Sequence, residues 1–210
     1  MIIAVDGPTA SGKGTIAKAL ATHFGLPHLD TGLLYRAVGR QCALNHGNAD
    51  DPLDALNACT FPDSLLADPE LRSESTGGLA SRVSVHPEVR RALFERQRAF
   101  ATQPGGAVLD GRDIGTVIAP EAEVKLFVLA SVPARAERRF KEMQAQGRDV
   151  SLAEIAADLE ARDARDRSRA EAPLIAAQDA VLIDTSDLGP AEAIAEAIRI
   201  ASGVSQRPPK

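Results

Sequence analysis

A glycine-rich loop near the start of the chain carries the strongest chemical signal in the sequence. It runs from Gly7 to Thr15, has the sequence GPTASGKGT, and fits the GxxxxGK pattern of a phosphate-binding loop. Its glycines let backbone N–H groups close around a β-phosphate, and Lys13 can reach the β- and γ-oxygens. We therefore expect the phosphates of a nucleotide to bind here, at Gly7, Pro8, Thr9, Ala10, Ser11, Gly12, Lys13, Gly14 and Thr15.

Two oxygen-bearing side chains could hold the magnesium ion that accompanies nucleotide phosphates. The residue after Lys13 is Gly14 rather than the usual Ser or Thr, so the hydroxyl comes one place later, on Thr15. Asp110 ends the apolar run AVLD, which is the place of the second acidic residue in phosphate-loop enzymes. We expect Thr15 and Asp110 to contact Mg²⁺ or its waters. The alternative for Asp110 is an Asp that starts the turn before Gly111.

The elements that must position these residues alternate between strand and helix. Residues 2–6 are an apolar run typical of a strand buried on both faces, and the segment from Gly12 to Gly25 has helical spacing and ends on glycine. Further strands are predicted at LPHLD (26–30), AVLD (107–110), VKLFVLA (124–130) and AVLID (180–184). Five buried strands separated by helices predict an α/β fold, a doubly wound five-stranded parallel sheet with right-handed crossovers.

Capping signals mark where several of the helices begin and end. Thr31 is expected to cap a helix that Gly47 ends, and Pro87 is expected to begin another. Ser151 and Glu154 fit a capping box at the start of a later helix.

The chain is expected to form one domain over residues 1–204. Within it, residues from about 50 to 84 are the least regular and predict a small substrate-side excursion rather than a separate domain. Residues from about 148 to 172 are rich in arginine and predict a mobile lid. Residues 205–210 are expected to be a disordered tail.

Composition limits the partners and the location of the protein. The 210-residue chain has a formal charge of −5 and no broad basic field, so nucleic acid is not an expected partner. Cys42 and Cys59 stand in unrelated segments, which predicts reduced thiols and neither a metal site nor a disulfide. No signal peptide or membrane-spanning run is evident, so we expect a cytosolic protein that does not bind membranes. No self-complementary apolar seam is evident either, and we expect a monomer.

Three further segments resemble motifs of the bacterial cytidylate kinases, which belong to the nucleoside-monophosphate kinases that share the GKGT loop variant. They are DTGLLYR at 30–36, ASRVSVHPEVRR at 80–91 followed by FERQRAF, and GRDIGTV at 111–117. The arginine-rich stretch RDARDRSR at 162–169, followed by AEAPL, is similar to a fourth. The resemblance covers nearly the whole chain, with one departure. The long enzymes of the family have an extended insert before the second motif, and residues 57–79 are too few to build it.

The resemblance implies a binding site for a pyrimidine monophosphate. Thr31 and Arg36 would contact its phosphate, while Ser81, Arg90 and Asp113 would read the cytosine edge. A carboxylate can accept from the cytosine amino group, and Arg and Ser suit its O2 and N3 acceptors. The alternatives are a helix start with a surface Arg36, and a surface ion pair of Arg90 with Asp113.

The resemblance also implies an arginine cluster that closes over the phosphates. Arg112, Arg162 and Arg169 would contact phosphate, and Asp166 would contact the sugar hydroxyl of the acceptor. Alternating charge on a helix is otherwise typical of a solvated salt-bridge face, and that reading stays open. The segment ARAERR after the fourth strand is placed like the residues that clamp ATP in related kinases, and supplies Arg135 and Arg139 together with Arg138.

By this resemblance the protein is expected to transfer the γ-phosphoryl group of ATP to CMP or dCMP, with Mg²⁺ as the cofactor. Lys13, Arg112, Arg162 and Arg169 would be the catalytic residues. A kinase of another small acceptor, such as UMP, AMP or shikimate, is the alternative within the same class. An ATP-dependent switch module is the alternative from a different class.

Overall fold

The computed structural model describes residues 1–145 and 147–205. The chain divides into two compact units, one made of Met1–Leu29 with Ala101–Lys210 and the other of Asp30–Phe100. The prediction of one domain over 1–204 stays a prediction. Residues 206–210 of the predicted tail lie outside the described residues, whereas Ser205 is the last residue of a helix.

The first unit contains a five-stranded parallel sheet, which confirms the predicted fold class. Its strands are β1 (Ile2–Asp6), β2 (His28–Asp30), β3 (Ala107–Gly111), β4 (Val124–Leu129) and β5 (Val181–Asp184), arranged in the order β2-β3-β1-β4-β5. The register pairs Val5 with Asp110 and Asp6 with Gly111. The carboxyl ends of β1 and β3 therefore lie side by side, where ligands bind in open α/β sheets.

Eight α-helices occur in the described chain. They are α1 (Lys13–Phe24), α2 (Thr31–Leu44), α3 (Pro52–Asn57), α4 (Glu74–Val83), α5 (Pro87–Ala101), α6 (Val132–Ala145), α7 (Leu152–Arg167) and α8 (Pro190–Ser205). The predicted capping box of Ser151 with Glu154 is present at the start of α7, and Pro87 begins α5. No helix within residues 1–145 and 147–205 combines the length and apolar character needed to cross a bilayer.

The core of the first unit is aliphatic, as expected for a chain without Trp. Helices α1 and α8 pack on the sheet, and the buried side chains include Ile3, Val5, Ile16, Leu20 and Leu126. These residues fix β1 and α1 rigidly on either side of the glycine-rich loop.

The prediction that all five strands are buried is wrong for the sheet edges. In β5 only Ile183 is buried, while Val181 is 40% and Leu182 is 59% exposed. All residues of the other edge strand, β2, are half-buried. An apolar run does not reveal whether a strand lies at the edge or in the centre of a sheet, because the order of the strands is set by tertiary packing.

The second unit is helical, including the segment that the sequence left irregular. Residues 50–84 contain α3, two 3₁₀ turns at Asp63–Ala67 and Pro69–Arg72, and α4. The predicted bounds of α2 need correction at both ends. Asp30 rather than Thr31 is its N-cap residue, and Asn45 rather than Gly47 is its C-cap residue.

Helices α2 and α4 approach each other closely in this unit. A Cβ atom at Gly39 of α2 would lie 2.8 Å from the Cβ of Leu79 and 3.0 Å from the backbone nitrogen of Ala80. Glycine is therefore needed at position 39 for these two helices to pack at this distance.

Cys42 and Cys59 do not form a disulfide with each other in this structure, and Cys42 is buried while Cys59 is half-buried. Burial raises the pKa of Cys59 to about 11 and also raises that of Cys42. Neither thiol therefore has the lowered pKa of a reactive cysteine.

Candidate active site

The glycine-rich loop leaves β1 through a backbone conformation that only glycine accepts readily. Gly7 has a φ of 155°, and a Cβ atom there would lie 2.2 Å from the carbonyl oxygen of Val128. The loop backbone can pass against β4 only because this side chain is missing.

The loop ends at the amino terminus of α1, where no acidic side chain opposes the binding of an anion. The N-cap residue Gly12 provides no side-chain hydrogen bond, and the first turn of α1 contains no acidic residue. The positive end of the helix dipole therefore favours negative charge at this point. Lys13 lies beside it, with its Nζ donating to the carbonyl oxygen of Pro8 at 3.4 Å.

Asp6, directly before the loop, is a buried acidic residue that the motifs did not indicate. Its buried carboxylate accepts from the backbone N–H groups of Ile114 (2.9 Å) and Gly115 (2.8 Å). Burial raises the pKa of Asp6 to about 7, an effect that the two N–H donors only partly oppose and that nearby Asp113 reinforces. Asp6 thus ties the segment that carries Arg112 and Asp113 to the base of the loop.

Asp110 lies at the carboxyl end of β3, beside the loop. Its Oδ1 shares a 2.7 Å hydrogen bond with Nε2 of His28 on β2. Its Oδ2 would be 3.7 Å from a Cβ atom at Gly14. His28 was not predicted from the sequence, because a lone His in a short strand gives no indication of a partner 82 residues away.

Arg112 joins the loop to the end of α7. Its Nη2 donates to Oγ1 of Thr9 at 2.7 Å, and its Nε donates to Oδ2 of Asp166 at 2.9 Å. Arg169 donates to the other carboxylate oxygen of Asp166. Burial alone would raise the pKa of Asp166, but the guanidinium groups of Arg112 and Arg169, with Arg162, hold it below its usual range. The predicted phosphate arginines therefore gather around one ionised carboxylate next to the loop.

Arg135, predicted to contact ATP, is directed at protein acceptors in this structure. Its Nη1 and Nη2 form a bidentate pair with Asp163 at 3.1 and 2.6 Å. Nη1 also donates to the carbonyl oxygen of Thr9 at 3.1 Å, and Nε donates to that of Ala130 at 2.9 Å. The role of Asp163 was not predicted, although Asp163 and Asp166 are spaced to share one face of α7.

A cavity of about 150 Å³ lies against the end of the glycine-rich loop, where Ser11 forms part of its lining. Arg138 lines it and donates to both the hydroxyl and the carbonyl oxygen of Thr185, while the Thr185 hydroxyl donates to the carbonyl oxygen of Ser11. The remaining lining residues are Gly12, Thr15, Ile16, Leu188, Pro190 and Ala193. Arg139, predicted beside Arg138, is paired with Glu142 on α6.

In the second unit, Arg90 is stacked on an aromatic ring. Its guanidinium carbon lies 5.5 Å from the centroid of Tyr35, and its Nη1 donates to the carbonyl oxygen of Ser84 at 3.3 Å. Arg36 donates to the carbonyl oxygens of Leu71 (2.7 Å) and Ser73 (2.9 Å).

Three other residues predicted to bind the acceptor nucleotide are buried within their own units. In the second unit Thr31 is 3% and Ser81 is 7% exposed. In the first unit Asp113 is 4% exposed and is the N-cap residue of a π-helical turn at Ile114–Ile118.

A parallel sheet of order β2-β3-β1-β4-β5, with a phosphate-binding loop between β1 and α1, defines a phosphate-loop protein of the nucleoside-monophosphate kinase type. A crystal structure of an uncharacterized protein from Eubacterium ventriosum supports the fold alone. It has a TM-score of 0.55 and 17% identity, with 99% of each chain covered.

Sequence comparisons identify the family. The family model for cytidylate kinase matches residues 3–203. The chain is 56% identical over 201 residues to the cytidylate kinase of Azorhizobium caulinodans, covering 95% of this chain and 97% of that one. It is 54% identical to those of Xanthobacter autotrophicus and Caulobacter sp. strain K31, again covering 95% of this chain, and 96% and 93% of theirs. The chain belongs to the cytidylate kinase family, which confirms the family, kinase and nucleotide-binding predictions.

Proposed function

We propose that the protein transfers the γ-phosphoryl group of ATP to CMP or dCMP and releases ADP and CDP or dCDP. An oxygen of the acceptor phosphate attacks the γ-phosphorus in line, and the bond from that phosphorus to the β–γ bridging oxygen breaks. The acceptor phosphate is already a nucleophile near neutral pH, so no general base and no covalent enzyme intermediate are needed. Catalysis then consists of positioning and charge neutralisation.

The single observation that carries this proposal is the contact of Arg112 with both Thr9 and Asp166. Through this contact, cationic side chains lie next to the glycine-rich loop. The amino terminus of α1, which follows the loop, favours a bound phosphate. The catalytic residues that we propose are Lys13, Arg112, Arg162 and Arg169. They would stabilise the charge that spreads over the equatorial oxygens of the transferred group.

For the acceptor, we propose that Thr31 and Arg36 bind the phosphate and that Ser81, Arg90 and Asp113 read the base. Asp166 would bind the sugar hydroxyl. The position of the Arg90 guanidinium over the ring of Tyr35 supports this role, because a cation–π contact helps to hold the guanidinium in place.

For the donor, we propose that Gly7–Thr15 holds the phosphates of ATP, with Arg139 nearby. The cavity next to the loop, lined by Arg138 and Pro190, suits the rest of the nucleotide. Arg135 was also expected to contact ATP, but its contacts with Asp163 and Thr9 favour an indirect role.

The residues present fit a magnesium ion carried by the phosphates of ATP. Asp110 offers a hard oxygen ligand beside Gly14, and its hydrogen bond to His28 fixes the orientation of the carboxylate. We propose Asp110 as the main protein contact and Thr15 as a second, although Thr15 lines the cavity. When bound, the ion would neutralise charge on the β- and γ-phosphates.

We also propose that the protein acts as a monomer in the cytosol. Strand β5, at the edge of the sheet, is only four residues long and ends at Asp184. A short edge strand with an acidic residue discourages pairing between copies of the chain.

An acceptor panel tests the proposed substrate. With ATP and Mg²⁺, initial rates are measured for CMP, dCMP, UMP, AMP and shikimate. We expect CMP and dCMP to give the highest kcat/KM. A higher value for AMP or shikimate would contradict the assignment of Ser81, Arg90 and Asp113, and tight ATP binding without acceptor-stimulated ADP release would favour a switch module.

Lys13→Met tests the loop. We expect it to keep the fold and lose most of kcat, because the lysine stabilises the β- and γ-phosphate oxygens in the transition state. Lys18→Met is the matched control, since Lys18 is exposed on the same helix. Circular dichroism verifies folding of both variants, and a Lys13→Met enzyme with near-normal turnover would mean that the loop has been assigned wrongly.

A further inference from the structure

Thr9 accepts hydrogen bonds from two arginines through two different atoms. Its hydroxyl accepts from Nη2 of Arg112 at 2.7 Å, and its carbonyl oxygen accepts from Nη1 of Arg135 at 3.1 Å. Each arginine is paired in turn with a carboxylate of α7, Arg112 with Asp166 and Arg135 with Asp163. One residue of the glycine-rich loop is thus connected to α7 twice.

The two connections differ in burial. The side chains of Arg135 and Asp163 are 3% and 6% exposed, and the Nε of Arg135 is also engaged by the carbonyl oxygen of Ala130. This buried bidentate pair is a fixed support for the Thr9 backbone. The side chain of Arg112 is 20% exposed, so this connection is more accessible to solvent and ligands than the buried pair of Arg135 with Asp163.

We propose that Thr9 is a positioning residue for Arg112. The Thr9 hydroxyl holds the Arg112 guanidinium in the orientation needed to contact the transferred phosphoryl group. This inference rests on the proposed function, because it assumes that Arg112 faces phosphate. It gives the side chain of a loop residue a role separate from the backbone contacts that the loop makes with a nucleotide.

Arg112 needs the Thr9 hydroxyl because its other side-chain partner, Asp166, is also expected to bind the acceptor. Asp166 is proposed to bind the sugar hydroxyl of the acceptor, and a carboxylate that does so shares its oxygens between the sugar and the arginines. The contacts of Arg112 that are independent of Asp166 include its Nη1 bond to the carbonyl oxygen of Gly111 (3.3 Å) and its Nη2 bond to the Thr9 hydroxyl (2.7 Å). The Thr9 hydroxyl is the shorter of these two contacts, so it limits how far the guanidinium can swing when the acceptor binds.

The test compares Thr9→Val with Thr9→Ser. Valine has nearly the shape of threonine but no acceptor, whereas serine keeps the hydroxyl. We expect Thr9→Val to lower kcat roughly 10-fold or more, with KM for ATP changed by no more than about twofold, because an interaction made in the transition state is lost. Thr9→Ser should recover most of this loss. Equal impairment of the two variants, or a loss confined to KM for ATP, would overturn the proposal.

A double-mutant cycle with Arg112→Met shows whether the hydroxyl acts through the arginine. In the Arg112→Met background, Thr9→Val should lower kcat no further. If it lowers kcat by the same factor in both backgrounds, the hydroxyl acts independently of Arg112 and the inference is wrong. If Arg112→Met itself retains full kcat, the proposed role of Arg112 fails instead. Thermal unfolding of each variant separates these outcomes from a loss of folded protein.

Discussion

At the scale of single residues, the contact between Tyr35 and Arg90 adds a prediction about the acceptor. The ring holds the Arg90 guanidinium 5.5 Å from its centroid, within the range of a cation–π interaction. We expect Tyr35→Leu to raise KM for CMP roughly 10-fold, because the guanidinium loses its support. KM for ATP should stay nearly constant. Initial-rate kinetics with each substrate varied in turn measures both.

Tyr35→Phe is the matched control, because it keeps the ring and removes only the hydroxyl. If Tyr35→Phe raises KM for CMP as much as Tyr35→Leu does, the hydroxyl rather than the ring face is responsible. In an Arg90→Met background, replacing the ring should have no further effect on KM for CMP.

The residues that could be predicted from the sequence are those whose chemistry is local. The loop from Gly7 to Thr15 is one continuous motif, so its type and spacing are sufficient to recognise it. The pairing of Arg112 with Thr9 joins residues 103 positions apart, and that of His28 with Asp110 joins residues 82 apart. Such contacts depend on strand order and register, which local patterns do not contain.

At the scale of elements, the close packing of α2 on α4 can be tested with two glycines. Gly39→Ala would place a Cβ atom 2.8 Å from the Cβ of Leu79, whereas a Cβ atom at Gly78 of α4 meets no heavy atom within 4 Å. We expect Gly39→Ala to lower the free energy of unfolding by about 1–3 kcal/mol through overpacking. Gly78→Ala should raise it by up to about 1 kcal/mol through helix propensity.

Urea denaturation of the two variants and the wild type measures these differences. The pair is matched, since both changes put the same methyl group into a helix of the same unit. Stabilisation by Gly39→Ala would mean that α2 and α4 can move apart at little cost, and the close approach would then not require glycine.

Elements were predictable where one pattern dominates and less so where packing decides. The strands β1, β3 and β4, the capping box of α7 and the start of α5 at Pro87 all follow from local sequence. Helix α4 was missed because Gly77-Gly78 indicates a turn, and packing against α2 outweighs that preference. The exposure of β5 was not predicted, because its apolar sequence does not show that tertiary packing places it at the edge of the sheet.

At the scale of the whole molecule, Asp6 makes stability depend on pH. Its pKa is raised from 3.8 to about 7 in the folded protein, chiefly by burial. The folded state therefore binds this proton more tightly than the unfolded chain does. The stabilisation is fully present below about pH 4 and is lost as the pH rises through 7, with a slope of up to about 1.4 kcal/mol per pH unit.

Asp6→Asn removes this titration while keeping an oxygen that can accept from Ile114, although its amide group would face the N–H of Gly115. Free energies of unfolding are measured in urea from pH 4 to 8 for both proteins, and subtracting one curve from the other cancels every other titrating group. We expect the wild type to lose about 4 kcal/mol relative to the variant across this range, the value of about three pKa units. A difference that does not change with pH would mean that Asp6 is ionised throughout. The two N–H donors of Ile114 and Gly115 would then outweigh burial, and the tie between the loop and the segment of Arg112 would rest on a permanent charge.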